Sequence, residues 1–128
     1  MLDTNILLDW LLDRNAERTE KIECLMKRSN TMHVADVAIV EMVYVLERLY
    51  KFPRAIVASN VRKVLNEPLF NCNRMMFGGA VSSYLEYPAL SFVDCCLSQY
   101  AQLQNTLPLW TFDKKLVSQS EGVAKVPA

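Results

Sequence analysis

A chain of 128 residues with 52% hydrophobic content is long enough for one domain with a proper core, and its 14 Lys and Arg cancel its 14 Asp and Glu. The zero net charge excludes nucleic-acid binding through global charge, so any such contact must come from a local patch. No apolar run reaches transmembrane length and no basic region precedes a signal-like core, so the expected setting is cytoplasmic, without membrane attachment.

In chain order, Met1-Leu2-Asp3-Thr4-Asn5 reads as a very short strand ending in an acid, with Thr4 placed to cap a helix. Ile6, Leu7, Trp10 and Leu11 then recur at helical spacing. Residues 16–28 set Ile22, Leu25 and Met26 against a strongly charged face, the pattern of an exposed amphipathic helix. A short strand over 33–35 leads into a long helix from about 36 to 50 that carries Glu41. After Phe52-Pro53, residues 54–66 resume as a helix with Ile56, Val57, Val61, Val64 and Leu65 inward. A strand over 68–72 and a helix over 75–87 follow, the latter holding Gly78-Gly79, which weakens it or allows close helix packing. Residues 91–105 form a helix with Asp94 in its first turn, where the helix dipole favours an anion. A strand over 108–111, a short helix beginning near Asp113 and an edge strand over 123–126 complete the chain.

Helices and short strands alternate throughout, which predicts an α/β domain spanning 1–128, a parallel sheet covered by helices on both faces. Cys24, Cys72, Cys95 and Cys96 lack C-x-x-C spacing, and His33 alone cannot complete a zinc site with them. Cys95 and Cys96 read as small buried side chains on a helix.

Among the acids, Asp3, Glu41, Asp94 and Asp113 stand in apolar surroundings, apart from the charged surface stretches. A carboxylate so placed is costly unless it is paired, hydrogen-bonded or metal-bound, so this set points to a shared cation. Glu41 is expected to be buried near it. Asp3 and Asp113 end strands, while Glu41 and Asp94 sit on helices able to border the same crevice, the usual ligand site of an open α/β sheet. Oxygen ligands alone suit Mg²⁺ or Mn²⁺ better than zinc. Lys114, Lys115 and Arg48 are candidates for holding a phosphate backbone, though each also reads as an ordinary solvated charge.

The pieces Leu-Asp-Thr-Asn at 2–5, Val-Ala-Ile-Val-Glu-Met-Val-Tyr-Val-Leu-Glu-Arg at 37–48, Ser-Phe-Val-Asp at 91–94 and Trp-Thr-Phe-Asp-Lys-Lys-Leu at 110–116 resemble, in order and spacing, the PIN-domain nucleases. Within that family the likeness is to the VapC-type toxins of toxin–antitoxin pairs. The resemblance implies a helix-covered sheet of about five strands in a three-layer sandwich. It implies a Mg²⁺- or Mn²⁺-dependent endoribonuclease with Asp3, Glu41, Asp94 and Asp113 as its acidic set, and Asn5 and Thr111 as polar supports. It further implies an antitoxin partner and a homodimer. The family's first strand usually begins several residues before its Asp, so the expectation is either a true start upstream of Met1, the favoured reading, or an unusually short first strand.

Other readings are less well supplied. An Asp-nucleophile phosphatase needs a second Asp where Asn5 stands, and a receiver domain needs adjacent acids on its first strand. A purely structural α/β domain leaves the isolated carboxylates unexplained. A catalytically idle relative that binds RNA or a protein is the standing alternative.

Overall fold

Four helices begin at a side chain that accepts from their unpaired N–H groups (Asp3, Asn15, Ser91 and Asp113), while those starting after Ala35 and Pro53 have no such cap. A computed structural model describes residues 1–128. The chain divides into two compact units, Met1–Asn73 and Arg74–Ala128.

In the first unit, α1 (Thr4–Leu12) is capped by Asp3, not by Thr4: the Asp3 side chain accepts from the Ile6 N–H, and Thr4 is already helical. The apolar face of α1 buries Leu7, Leu8 and Leu11. Helix α2 (Ala16–Lys27) starts from an Asn15 cap and buries only Ile22, so it is a surface helix laid on α1. Strand β1 (Met32–His33) leads into α3 (Asp36–Arg48), whose buried stripe is Ala38, Ile39, Met42, Val43 and Leu46. Fully burying one such aliphatic side chain contributes about 1.5–3 kcal/mol, so this stripe anchors α3 against both α1 and α4 (Arg54–Leu65). On α4 the inward residues are Val57, Ala58, Val61 and Val64. Ile56 is exposed and Leu65 half-buried, so the inward stripe is narrower than the run of apolar residues.

Strand β2 (Phe70–Asn71) pairs in parallel with β1, matching Met32 with Phe70 and His33 with Asn71. Leu2 forms a single parallel bridge with Val34, and its N–H donates to the His33 carbonyl at 2.8 Å. Trp10 meets the buried Phe70 edge-on, with centroids 4.9 Å apart, so the first helix packs over this ladder.

In the second unit, α5 (Arg74–Glu86) and α6 (Phe92–Leu103) form the most extensive helix contact. A Cβ at Gly79 would overlap the Gln99 side chain, so the glycine permits the close approach. Phe92 stacks on Phe77 and meets Tyr84 edge-on, and Cys95 and Cys96 are both buried beside them. Strand β3 (Leu109–Trp110) pairs in parallel with β4 (Ala124–Lys125), with the short α7 (Lys114–Gln119) between them.

The α/β character and parallel pairing expected from the alternation are present. The strand pairing is nonetheless less extensive than one sheet of about five strands: it consists of two two-stranded ladders and the Leu2 bridge. Each ladder strand is two residues long, and after the first three a helix begins within four residues and takes the backbone out of the ladder.

Candidate active site: carboxylates held at helix starts

Three of the four singled-out acids cap helices. Asp3 Oδ1 accepts from the Ile6 N–H at 3.0 Å. Asp94 completes a capping box on α6: its N–H donates to Ser91 Oγ at 3.0 Å, and its Oδ2 accepts from the Ser91 N–H at 3.3 Å. Asp113 caps α7, its Oδ1 accepting from the Lys115 and Leu116 N–H groups at 2.9 and 3.4 Å. The Thr111 hydroxyl accepts from the Asp113 N–H at 3.0 Å, which sets the turn that presents this carboxylate.

Glu41 differs from its expected burial. It is exposed, on a stripe of α3 that also carries Val37, Tyr44 and Arg48, opposite the buried face. Its apolar sequence neighbours mislead because Val37 and Tyr44 point outward too, at 76% and 59% exposure. The carboxylate is fixed by the buried Thr4, whose hydroxyl donates to Glu41 Oε2 at 3.0 Å. Thr4 follows Asp3 directly, so in the first unit both acids border the start of α1.

A common pattern results. Each carboxylate commits one oxygen to a protein donor and leaves the other with no protein hydrogen bond. Anionic oxygens oriented this way, with no His or Cys among them, have the donor chemistry of a hard divalent cation. No group of three or more His, Cys, Asp or Glu side chains is gathered to hold a metal ion; by unit, the acids divide as Asp3 and Glu41, and Asp94 and Asp113.

Among the supporting candidates, Asn5 is exposed and its side chain makes no hydrogen bond, while its carbonyl accepts from Arg14 Nη2 at 3.2 Å. The Arg48 guanidinium lies over the Tyr44 ring, 5.5 Å from its centroid, instead of reaching Glu41. Lys114 and Lys115 are exposed in the first turn of α7.

A fifth acid escapes a search for isolated charges. Asp9 lies within Leu7-Leu8-Asp9-Trp10-Leu11 and is 3% exposed, the only buried carboxylate. Arg14 Nε reaches its Oδ1 at 2.8 Å, and Arg18 Nε its Oδ2 at 2.8 Å. The Arg18 hydrogen bond, with help from Arg14, holds the Asp9 carboxyl below the usual carboxylate range against the opposing effect of burial. Burial pulls Arg14 down, yet its interactions with Tyr50 and Asp9 leave it above its ordinary range. The signal available in the sequence was an acid on an apolar helix face followed by two arginines beyond the turn.

No helix is long and apolar enough to cross a membrane. Comparison with known proteins agrees with the motif pattern. The PIN domain family model matches residues 1–121. A relative described as VapC ribonuclease, from Aquifex aeolicus (strain VF5), is 31% identical over 120 residues, covering 90% of this chain and 87% of its own. No solved structure gives a significant match. The order of the acid-bearing motifs, a family match from Met1 to Glu121 and a relative of nearly equal span place this chain in the PIN-domain family, among its VapC-type members.

Proposed function

We propose that the protein is a metal-dependent endoribonuclease in which Asp3, Glu41, Asp94 and Asp113 supply the oxygen ligands for Mg²⁺ or Mn²⁺. The observation that carries this reading is the shared state of those carboxylates, each fixed through one oxygen with the other uncommitted. Membership of the PIN-domain family and the likeness to a VapC ribonuclease supply the reaction class and the substrate. When bound, the cation lowers the pKa of a water and offsets charge developing at phosphorus. The chain's own part is orientation: backbone N–H groups hold Asp3, Asp94 and Asp113 in place, and Thr4 holds Glu41. Holding the carboxylates before the cation arrives lowers the ordering cost of binding it. Thr111 acts one step back, through the Asp113 turn. Lys114 and Lys115 sit at the helix end where a positive side chain opposes the dipole, which favours a phosphate as their counter-charge. Arg48 and Asn5 are the further candidates for contact with the strand.

A ribonuclease acting in the cytoplasm must be held off, so the reading extends to a VapC-type toxin with a small antitoxin partner. Exposed apolar side chains such as Val37, Leu49 and Met75 are in keeping with protein partners, the antitoxin and a second copy in a homodimer. The test is cleavage of structured and unstructured RNA by purified protein with Mg²⁺ or Mn²⁺, beside Asp94→Asn. The substitution keeps an acceptor for the Ser91 N–H and removes the charge, so the fold is expected to survive and cleavage to fall at least a hundredfold, to about the level of a lost general catalyst. An Asn variant that cuts as fast as the parent, in a preparation free of other nucleases, refutes the role of Asp94.

A further inference from the structure

Helix α1 ends in a charge cluster that the carboxylate set does not use. Asp9 is buried, and two arginines close on it: Arg14 through Nε, Arg18 through Nε at 2.8 Å and Nη2 at 3.1 Å. One carboxylate faces two guanidinium groups, so the cluster keeps one uncompensated positive charge. Arg18 spends two of its five N–H donors on Asp9, and its side chain is 57% exposed. Arg14 is more enclosed, at 23%, and its Nη2 is pinned to the Asn5 carbonyl in the first turn of α1. Both arginines line an open recess of about 440 Å³ whose wall also contains Asp3. Neither is paired with Asp3, whose engaged oxygen is taken by the Ile6 N–H.

We propose that this recess is a phosphate subsite, in which Arg18, with Arg14 behind it, receives a backbone phosphate of the RNA strand flanking the bond cut at the carboxylate set. The inference rests on the ribonuclease reading and extends it to a binding site for the substrate's flanking backbone. A single arginine would neutralise Asp9. The second leaves the cluster of Asp9, Arg14 and Arg18 with one positive charge, which the Asp3 carboxylate balances over the recess as a whole until a cation offsets it. The Arg18 N–H groups not spent on Asp9 suit paired hydrogen bonds with phosphate oxygens. Asp9 acts as a positioning residue: it locks both guanidinium groups before substrate arrives, so little rotamer freedom is lost on binding. A purely structural bridge between α1 and α2 would need the cluster for stability alone and would leave RNA affinity untouched.

The experiment measures binding of a fluorescent single-stranded RNA to the full chain over a range of salt, in the uncleaving Asp94→Asn background. Arg18→Gln is expected to weaken binding about tenfold, the loss of one charge-assisted contact. It should also reduce the slope of log affinity against log salt by about 0.7, the value for one single-strand phosphate contact. Arg18→Lys, which keeps the charge without the fork, should restore the slope while recovering only part of the affinity. Urea denaturation of each variant separates binding from folding, and the Lys variant carries the test should the Gln variant unfold. An unchanged slope in a folded Arg18→Gln protein overturns the subsite while leaving the nuclease reading intact. Failure of the parent chain to bind or cut any RNA overturns the nuclease reading, and the subsite with it.

Discussion

Replacing Asp9 by Asn perturbs the one buried carboxylate and leaves its volume nearly unchanged. The amide oxygen can still accept from one arginine, but the amide NH₂ then faces the donors of the other. Breaking a fully buried ion pair by removing one partner costs roughly 3–5 kcal/mol. Here the 57% exposure of Arg18 lets water take over part of its charge, which lowers the expected loss to about 2–3 kcal/mol. For a chain of this size the melting temperature should fall by roughly 10 °C. Acid supplies an independent check. The folded carboxyl of Asp9 is held below its unfolded value of about 3.9, so its contribution is complete above that pH and is lost as pH falls through the folded value. Urea denaturation of parent and Asp9→Asn from pH 7 down to pH 3 should therefore show a gap that is constant near neutrality and narrows in acid. A gap below about 0.5 kcal/mol at pH 7, the range of ordinary surface substitutions, refutes the reasoning, as does one that does not narrow.

Gly78 and Gly79 are adjacent on α5 but should respond in opposite ways to alanine. Gly78 has open space at its Cβ position, so Gly78→Ala should stabilise by about 0.5–1 kcal/mol through helix propensity, while Gly79→Ala must displace Gln99 and should gain less or lose, both read by chemical denaturation. Sedimentation at micromolar concentration should give a dimer; a monomer there refutes the proposed self-association.

Helices were legible because periodicity and end signals agree over a dozen residues: α2 and α4 end within one residue of their expected limits. The strands were legible as positions but not as lengths, since two-residue pairing leaves no alternation to read. The site's acids stand out by their apolar setting, yet that criterion says nothing of which way a side chain points. Glu41 shows why: its helix is apolar on both faces, and only the packing of Ile39, Met42 and Val43 fixes the outward side. Asp9 fails the same criterion in the other direction. Asp13, Arg14, Glu17 and Arg18 follow it closely and make it look solvated, whereas the turn after α1 folds those arginines back over it. The bond from Thr4 to Glu41 spans 37 positions and has no local signature.

Capping alone explains why Asp3, Asp94 and Asp113 stand where they do, so capping and cation binding must be separated by substitution. Asp113 offers the clearest separation, because Ser is as good an N-cap as Asp but carries no charge. Asp113→Ser keeps an acceptor for the Lys115 and Leu116 N–H groups and should leave stability within about 0.5 kcal/mol of the parent. Asp113→Ala removes the acceptor and should cost about 1 kcal/mol. If Asp113 only caps α7, stability ranks the variants and the Ser form behaves as the parent in every assay. If it also holds the cation, both variants lose alike the rise in melting temperature that Mn²⁺ produces by binding the folded state, whatever their stability without it. The deciding observation is the Ser variant's response to Mn²⁺ over a concentration series. A full parental shift would leave Asp113 a helix cap and nothing more, while a lost shift at unchanged baseline stability would assign its second oxygen to the metal.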